Sequence, residues 1–207
     1  MRNKISYHLV LSIALIALTI VSCNKPASKE NLFQAVEVFP TPERPEGQTH
    51  VLGLRAEPID TVRIAIIGLG MRGLDAVQRL SHIGEVKIVA ISDVVPTNVQ
   101  KAQDTLKMLG KPEAAAYTAK DSWKDICERN DIDLVYICTH WDLHTPISVY
   151  AMEHGKHVAC EVPAALTIKE AWQLVNTAEK TRKHFMMLEN CNYDFFELTT
   201  LNMAQQG

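Results

Sequence analysis

The sequence predicts an α/β fold built on a doubly wound parallel sheet with helices on both faces. Three observations carry that prediction. Short apolar runs rich in β-branched residues recur along the chain and alternate with helical patterns, as right-handed strand–helix–strand units require. The first run, inside Thr61–Gly73, ends in a glycine-rich turn, Gly68-Leu69-Gly70-Met71-Arg72-Gly73. The second ends in an acid, Asp93, about twenty residues past the last glycine of that turn.

Taken in order, Val62 to Ile67 alternates and then becomes continuously apolar, the pattern of a strand buried on both faces. Leu74 to Ile83 follows as a helix, with Ala76, Val77 and Leu80 on its apolar face. Val86 to Asp93 is the second strand, and Asn98 to Leu109 a helix stopped by Gly110. Tyr117-Thr118 marks a short third strand, and Ser122 to Asn130 a brief helix. Asp133 to Thr139 is the fourth strand, Pro146 to His154 a helix ended by Gly155, and His157 to Glu161 the fifth strand. Thr167 and Glu170 form a capping-box pattern that opens a long helix to about Arg182. His184 to Asn190 is the sixth strand and Asp194 to Gln206 the last helix.

The glycine turn has a direct chemical reading. Gly68 allows the tight turn, Gly70 lets a pyrophosphate approach the backbone, and Gly73 lets the helix pack on the strand. The free N–H groups of the helix start then favour phosphate. A carboxylate at Asp93 accepts hydrogen bonds from the adenosine ribose and repels a 2′-phosphate, which favours NAD over NADP. Alternatively, Asp93 caps the next helix. Arg72 inside the turn weakens the NAD preference slightly.

Ligands of such sheets sit beyond the C-terminal strand ends. Polar and aromatic residues gather there: His140-Trp141-Asp142-Leu143-His144 after strand four, Glu161-Val162-Pro163 after strand five, and Glu189-Asn190-Cys191-Asn192-Tyr193 after strand six. Singly, each has a structural alternative: Trp141 as a surface lid, Asp142 as a cap, His144 as a packing residue. Three loaded tips beside a glycine turn point to a site.

These motifs in this order resemble the Gfo/Idh/MocA oxidoreductase family. Within it, GLGMRG, CTHWDLHTP, CEVPAA and ENCNY are similar to the glycoside hydrolase family 109 branch, the NAD-dependent α-N-acetylgalactosaminidases. The resemblance covers about Val51 to Gly207. By position it implies Met71, Arg72, Asp93, Trp141, His144, Glu161, Val162 and Asn190 as cofactor contacts and Tyr193 as an active-site tyrosine. Most of the family has a lysine where this chain has Val162, a departure shared with the glycosidase branch. The implied reaction on a glycan with terminal N-acetylgalactosamine is transient oxidation at C3, elimination of the aglycone, addition of water and re-reduction. The pair of carboxylates used by most glycosidases is not evident, and this chemistry needs none. Tyr193 as proton donor or base, and His144 on the nicotinamide ribose or the sugar, stay open as separate readings. So do two rivals: an ordinary sugar or inositol dehydrogenase, and a tethered NAD- or glycan-binding protein without turnover.

The chain begins with a secretion signal over residues 1–22: Arg2 and Lys4, then an apolar stretch from Leu9 to Val21. Ile20-Val21-Ser22-Cys23 resembles the bacterial lipobox, implying a lipid on Cys23 and a place in the cell envelope. Residues 23–60 are polar and carry Pro26, Pro40, Pro42, Pro45 and Pro58, the composition of a tether, with a short helix expected over Asn31–Val38. An exported enzyme has no ready cofactor supply, which favours a cofactor held tightly and recycled. Residues 61–207 form the NAD-binding Rossmann domain. The final stretch reads as a helix and its cap glycine rather than a natural tail, so a C-terminal substrate domain is expected beyond it.

The net charge of -3 becomes -5 once Arg2 and Lys4 are removed, and no basic cluster with interleaved aromatics suggests nucleic acid. Cys127, Cys138, Cys160 and Cys191 stand in no metal spacing, so no metal is expected; Cys138 and Cys160 read as small core hydrophobes. Oligomers are compatible with all of this.

Overall fold

The computed structural model of the protein describes residues 44–206. The signal expected over residues 1–22, the lipid site expected at Cys23 and the helix expected over Asn31–Val38 lie outside the described residues. Six strands, β1 (Val62–Ile67), β2 (Val86–Ser92), β3 (Ala115–Tyr117), β4 (Leu134–Ile137), β5 (His157–Glu161) and β6 (Phe185–Leu188), form one sheet in the order β3-β2-β1-β4-β5-β6. Every pairing is parallel. Strand order therefore reverses between β1 and β4, and the crevice beyond their C-terminal ends is the switch point.

The connecting helices are α1 (Met71–Leu80), α2 (Pro96–Met108), α3 (Ser122–Glu128), α4 (Trp141–Glu153) and α5 (Ile168–Thr181); α6 (Phe195–Gln206) follows β6. The period-two alternation of β1 divides the core. Ile64 and Ile66 pack with Ala76, Val77, Val99 and Leu106 of α1 and α2, while Ala65 and Ile67 pack with Ile126, Ile147, Met152 and Leu174 of α3, α4 and α5. Because both faces are covered, β1 is continuously apolar from Ile64 to Ile67, while Arg63 near its start pairs with Asp133.

Most boundaries fall within a few residues of expectation, and the capping box is complete. Glu170 N–H donates to Thr167 Oγ1 at 3.1 Å, and Thr167 N–H donates to Glu170 Oε2 at 3.0 Å. Strand β3 lies over Ala115–Tyr117 rather than at Tyr117-Thr118. Two helices depart more. Helix α1 starts at Met71, inside the glycine motif, with Gly70 as its capping residue, so the free amides lie within the turn itself. Helix α4 starts at Trp141, not at Pro146. Proline is favoured at a first helical position, so Pro146 looks like a start. Here it sits one and a half turns in, and only its missing N–H interrupts the ladder.

Part of the stretch expected to be a tether packs on the domain. Arg44 Nε donates to both carboxylate oxygens of Glu179, at 3.0 and 2.9 Å, and Gln48 Nε2 adds a third bond at 2.9 Å. Arg182 Nη1 donates to the carbonyls of Thr49 and His50, and Val51 packs against the core. Cys127 and Cys160 are buried, Cys138 is half-buried, Cys191 is exposed, and all four are free thiols.

Candidate active site: an NAD cradle at the sheet edge

The glycine turn leaves β1 and enters α1, and its three glycines do different work. Gly68 has φ +90°, and a Cβ there would lie 2.5 Å from the Cys138 carbonyl oxygen, so the turn is pressed against the tip of β4. A Cβ on Gly73 would lie 1.9 Å from the Gly68 carbonyl oxygen. A Cβ on Gly70 would meet nothing within 4 Å. The outer two glycines therefore close the turn, and the middle one leaves its solvent side open above the amides of the α1 start. That is the space a pyrophosphate needs. Met71 and Arg72, both exposed, border it on the first turn of α1.

Asp93 closes β2 beside this turn. Its Oδ2 accepts from Leu69 N–H at 2.7 Å and its Oδ1 from Val95 N–H at 2.8 Å. The carboxylate thus both caps the next loop and steadies the glycine turn. Each oxygen keeps a second lone pair, and the side chain is only half-buried, so room for ribose hydroxyls remains.

Across the switch point, Trp141 is 62% exposed at the start of α4. It lines an open cleft of about 380 Å³ with Thr139, His140, Asp142 and Leu166. His144, one helical turn on, is 1% exposed. Its Nδ1 lies 2.7 Å from the Pro163 carbonyl oxygen and its Nε2 lies 3.1 Å from that of Thr139. Thr145 Oγ1 adds a bond to the Ala164 carbonyl at 3.2 Å. His144, expected among the cofactor contacts, thus lies behind the site, where it ties the tip of β4 to the loop after β5. Its influence on a ligand runs through those two loops.

Glu161 ends β5 and is 8% exposed, whereas Val162 is 39% exposed on the loop that follows. The half-buried Cys138 thiol is pushed up to about 12, first by burial and then by the nearby Glu161 charge. Asn190 precedes the short 3₁₀ turn Cys191–Tyr193 after β6 and Tyr193 ends it, both exposed, Tyr193 at 69%. The structure therefore brings the glycine turn and Asp93 together on one half of the edge. Trp141, Glu161 and Val162 stand on the other half, with Asn190 and Tyr193 at its outer end. Sequence reasoning missed Leu166 as a wall of the cleft, since a lone leucine in a loop carries no signal.

A family model described as an oxidoreductase family with an NAD-binding Rossmann fold matches residues 62–189. The chain belongs to the Gfo/Idh/MocA oxidoreductase family. As a Gfo/Idh/MocA domain it has NAD as its cofactor, and the open side of Gly70, the α1 amides and Asp93 fit that group.

The resemblance to glycosyl hydrolase family 109 is matched by relatives. The chain is 54% identical over 198 residues to glycosyl hydrolase family 109 protein 1 of Bacteroides fragilis, covering 95% of this chain and 42% of that protein. It is 55% identical over 205 residues to a family 109 protein of Porphyromonas gingivalis, covering 99% and 43%. It is 60% identical over 160 residues to a Bacteroides fragilis protein named alpha-N-acetylgalactosaminidase, covering 77% and 38%. The chain thus spans about two fifths of the length of the curated relatives it matches. Among solved structures, scyllo-inositol dehydrogenase of Lactobacillus casei with bound NAD(H) and scyllo-inositol superposes with a TM-score of 0.63 at 25% identity, covering 71% and 42%. The WlbA dehydrogenase of Chromobacterium violaceum gives 0.64 at 21% identity, covering 74% and 43%, a likeness of fold.

Proposed function

We propose that the full-length protein is an NAD-dependent glycosidase that releases terminal α-N-acetylgalactosamine. The observation that carries this reading is the 60% identity to a protein named alpha-N-acetylgalactosaminidase. The bound nicotinamide supplies a reversible hydride acceptor, which allows a sugar to be oxidised at C3, to lose its aglycone by elimination, and to be reduced again after water adds.

The chain's own residues supply the frame for this. The α1 amides around Gly70 hold phosphate, and Asp93 holds ribose while fixing the glycine turn. Trp141, Glu161, Val162 and Asn190 line the half of the edge assigned to the nicotinamide. Tyr193, exposed on the turn after β6, is assigned the role of holding or passing a proton at its phenol oxygen. The uncharged Val162 at the β5 tip suits the glycosidase over the dehydrogenase reading. The sugar-binding residues are assigned to the part of the protein beyond this chain. From the signal read over residues 1–22 and the lipobox-like stretch ending at Cys23, we infer a lipid-anchored place in the cell envelope.

The test uses purified full-length protein and a p-nitrophenyl α-N-acetylgalactosaminide. Release of p-nitrophenol without net NADH formation is the expected result. Net NADH formation from the free sugar, with no cleavage, establishes the dehydrogenase instead.

A further inference from the structure

Glu161 is covered to more than nine tenths, yet its carboxylate accepts no hydrogen bond and forms no ion pair among the described residues. Among the described residues no buried side-chain polar atom is left unpaired, so the carboxylate oxygens themselves reach accessible surface. Their charge is therefore open to whatever occupies the crevice at the β5 tip. The next residue, Val162, brings no charge. The cations acting on the neighbouring Cys138 thiol are Arg72 and Arg79 of α1, and Arg79 is engaged by Asp75 at 2.7 Å.

The position of this charge decides what it meets. In a doubly wound sheet, each half of the edge takes one nucleotide of the dinucleotide. Asp93 and the glycine turn assign the adenosine half to the tips of β1 and β2. The tips of β4 and β5, where Glu161 stands, take the nicotinamide half. The oxidised nicotinamide ring carries a positive charge. Gaining a hydride, two electrons and a proton, removes that charge. A carboxylate beside the ring therefore discriminates between the two forms.

We propose that Glu161 sets the balance of the bound cofactor towards its oxidised form, by stabilising the nicotinamide cation relative to the neutral reduced ring. The inference rests on the NAD assignment but not on the glycosidase assignment. It gives the chain a cofactor-tuning residue. By lowering the reduction potential of the bound couple, Glu161 makes the return of the hydride downhill, which a closed redox cycle on one protein requires.

The experiment measures dissociation constants of NAD+ and NADH on the full-length protein and on its Glu161→Gln and Glu161→Asp variants. Glu161→Gln keeps the shape and removes the charge. It is expected to raise the ratio of the NAD+ to the NADH constant by about tenfold, equivalent to about 30 mV in a two-electron potential. Glu161→Asp keeps the charge and is expected to hold that ratio within about threefold of wild type, even if both forms bind more weakly. Equal weakening of both nucleotides in Glu161→Gln, or an unchanged ratio, overturns the proposal and leaves the NAD assignment standing. A wild-type protein that binds neither nucleotide overturns both. If Glu161→Gln fails to fold, the aspartate variant decides: a ratio moved as far as tenfold there rules out a role for the charge.

Discussion

The carboxylate of Asp93 at the end of β2 accepts the main-chain N–H of Leu69 at 2.7 Å, fastening one strand tip to the middle of the glycine turn. Ribose reading and turn geometry therefore share a side chain. Asp93→Ala is expected to weaken NAD binding and to cost about 1–3 kcal/mol of stability, the range for a charge-assisted hydrogen bond. Asp93→Asn, which keeps an acceptor oxygen, is expected to recover part of the stability but less of the affinity. Urea denaturation beside NAD titration separates the two effects.

The glycines of the turn give opposite expectations. Gly73→Ala drives a methyl into the Gly68 carbonyl and should destabilise the protein by about 3 kcal/mol or more. Gly70→Val meets only open space, so folding should be retained while bound NAD is lost. Thermal melting and the nucleotide content of the purified protein test the pair. A Gly70→Val protein with normal NAD content removes the role assigned to the open side of the turn.

How much of this was legible in the sequence follows from where each interaction is made. The strands could be read because burial on both faces leaves β1 continuously apolar, and the glycine motif because its spacing is the geometry. The start of α4 could not, because Pro146 imitates a helix N-terminus. The place of His144 could not, because its partners are the carbonyls of Thr139 and Pro163, and main-chain atoms leave no mark in a sequence. The docking of Arg44 on Glu179 joins residues 135 positions apart, which no local pattern anticipates.

His144→Phe tests the tie between the strand tips. The ring volume is roughly kept, but the imidazole N–H that one of the two carbonyls, Pro163 or Thr139, accepts is lost. A loss of about 1–3 kcal/mol is expected, with weaker NAD binding as the loops carrying Trp141 and Val162 move apart. Chemical denaturation checks the first expectation and calorimetric NAD titration the second. Unchanged NAD affinity in a folded variant shows that the tie serves stability alone.

The Arg44 guanidinium, with Gln48 assisting, holds the Glu179 carboxyl below the usual carboxylate range. Its folded-state pKa is lower than its unfolded one, so between the two the unfolded chain binds more protons. The stabilisation is present above the ordinary glutamate value of about 4.3 and is lost as pH falls through the lowered value. Glu179→Gln should therefore flatten the acid limb of the stability profile while changing little near neutrality in slope. Melting temperatures across acid pH measure this.

Cys23→Ala removes the residue on which the lipid anchor is proposed. The variant should move from the membrane to the soluble fraction of lysed cells. Unchanged partition excludes the lipobox.

The arginine and glutamine that clasp Glu179 do so at the C-terminal end of α5, just before β6 begins, while the nucleotide cradle occupies the far ends of the strands. The segment that enters at Arg44 is thus fastened to the rear of the sheet, on the side away from the crevice.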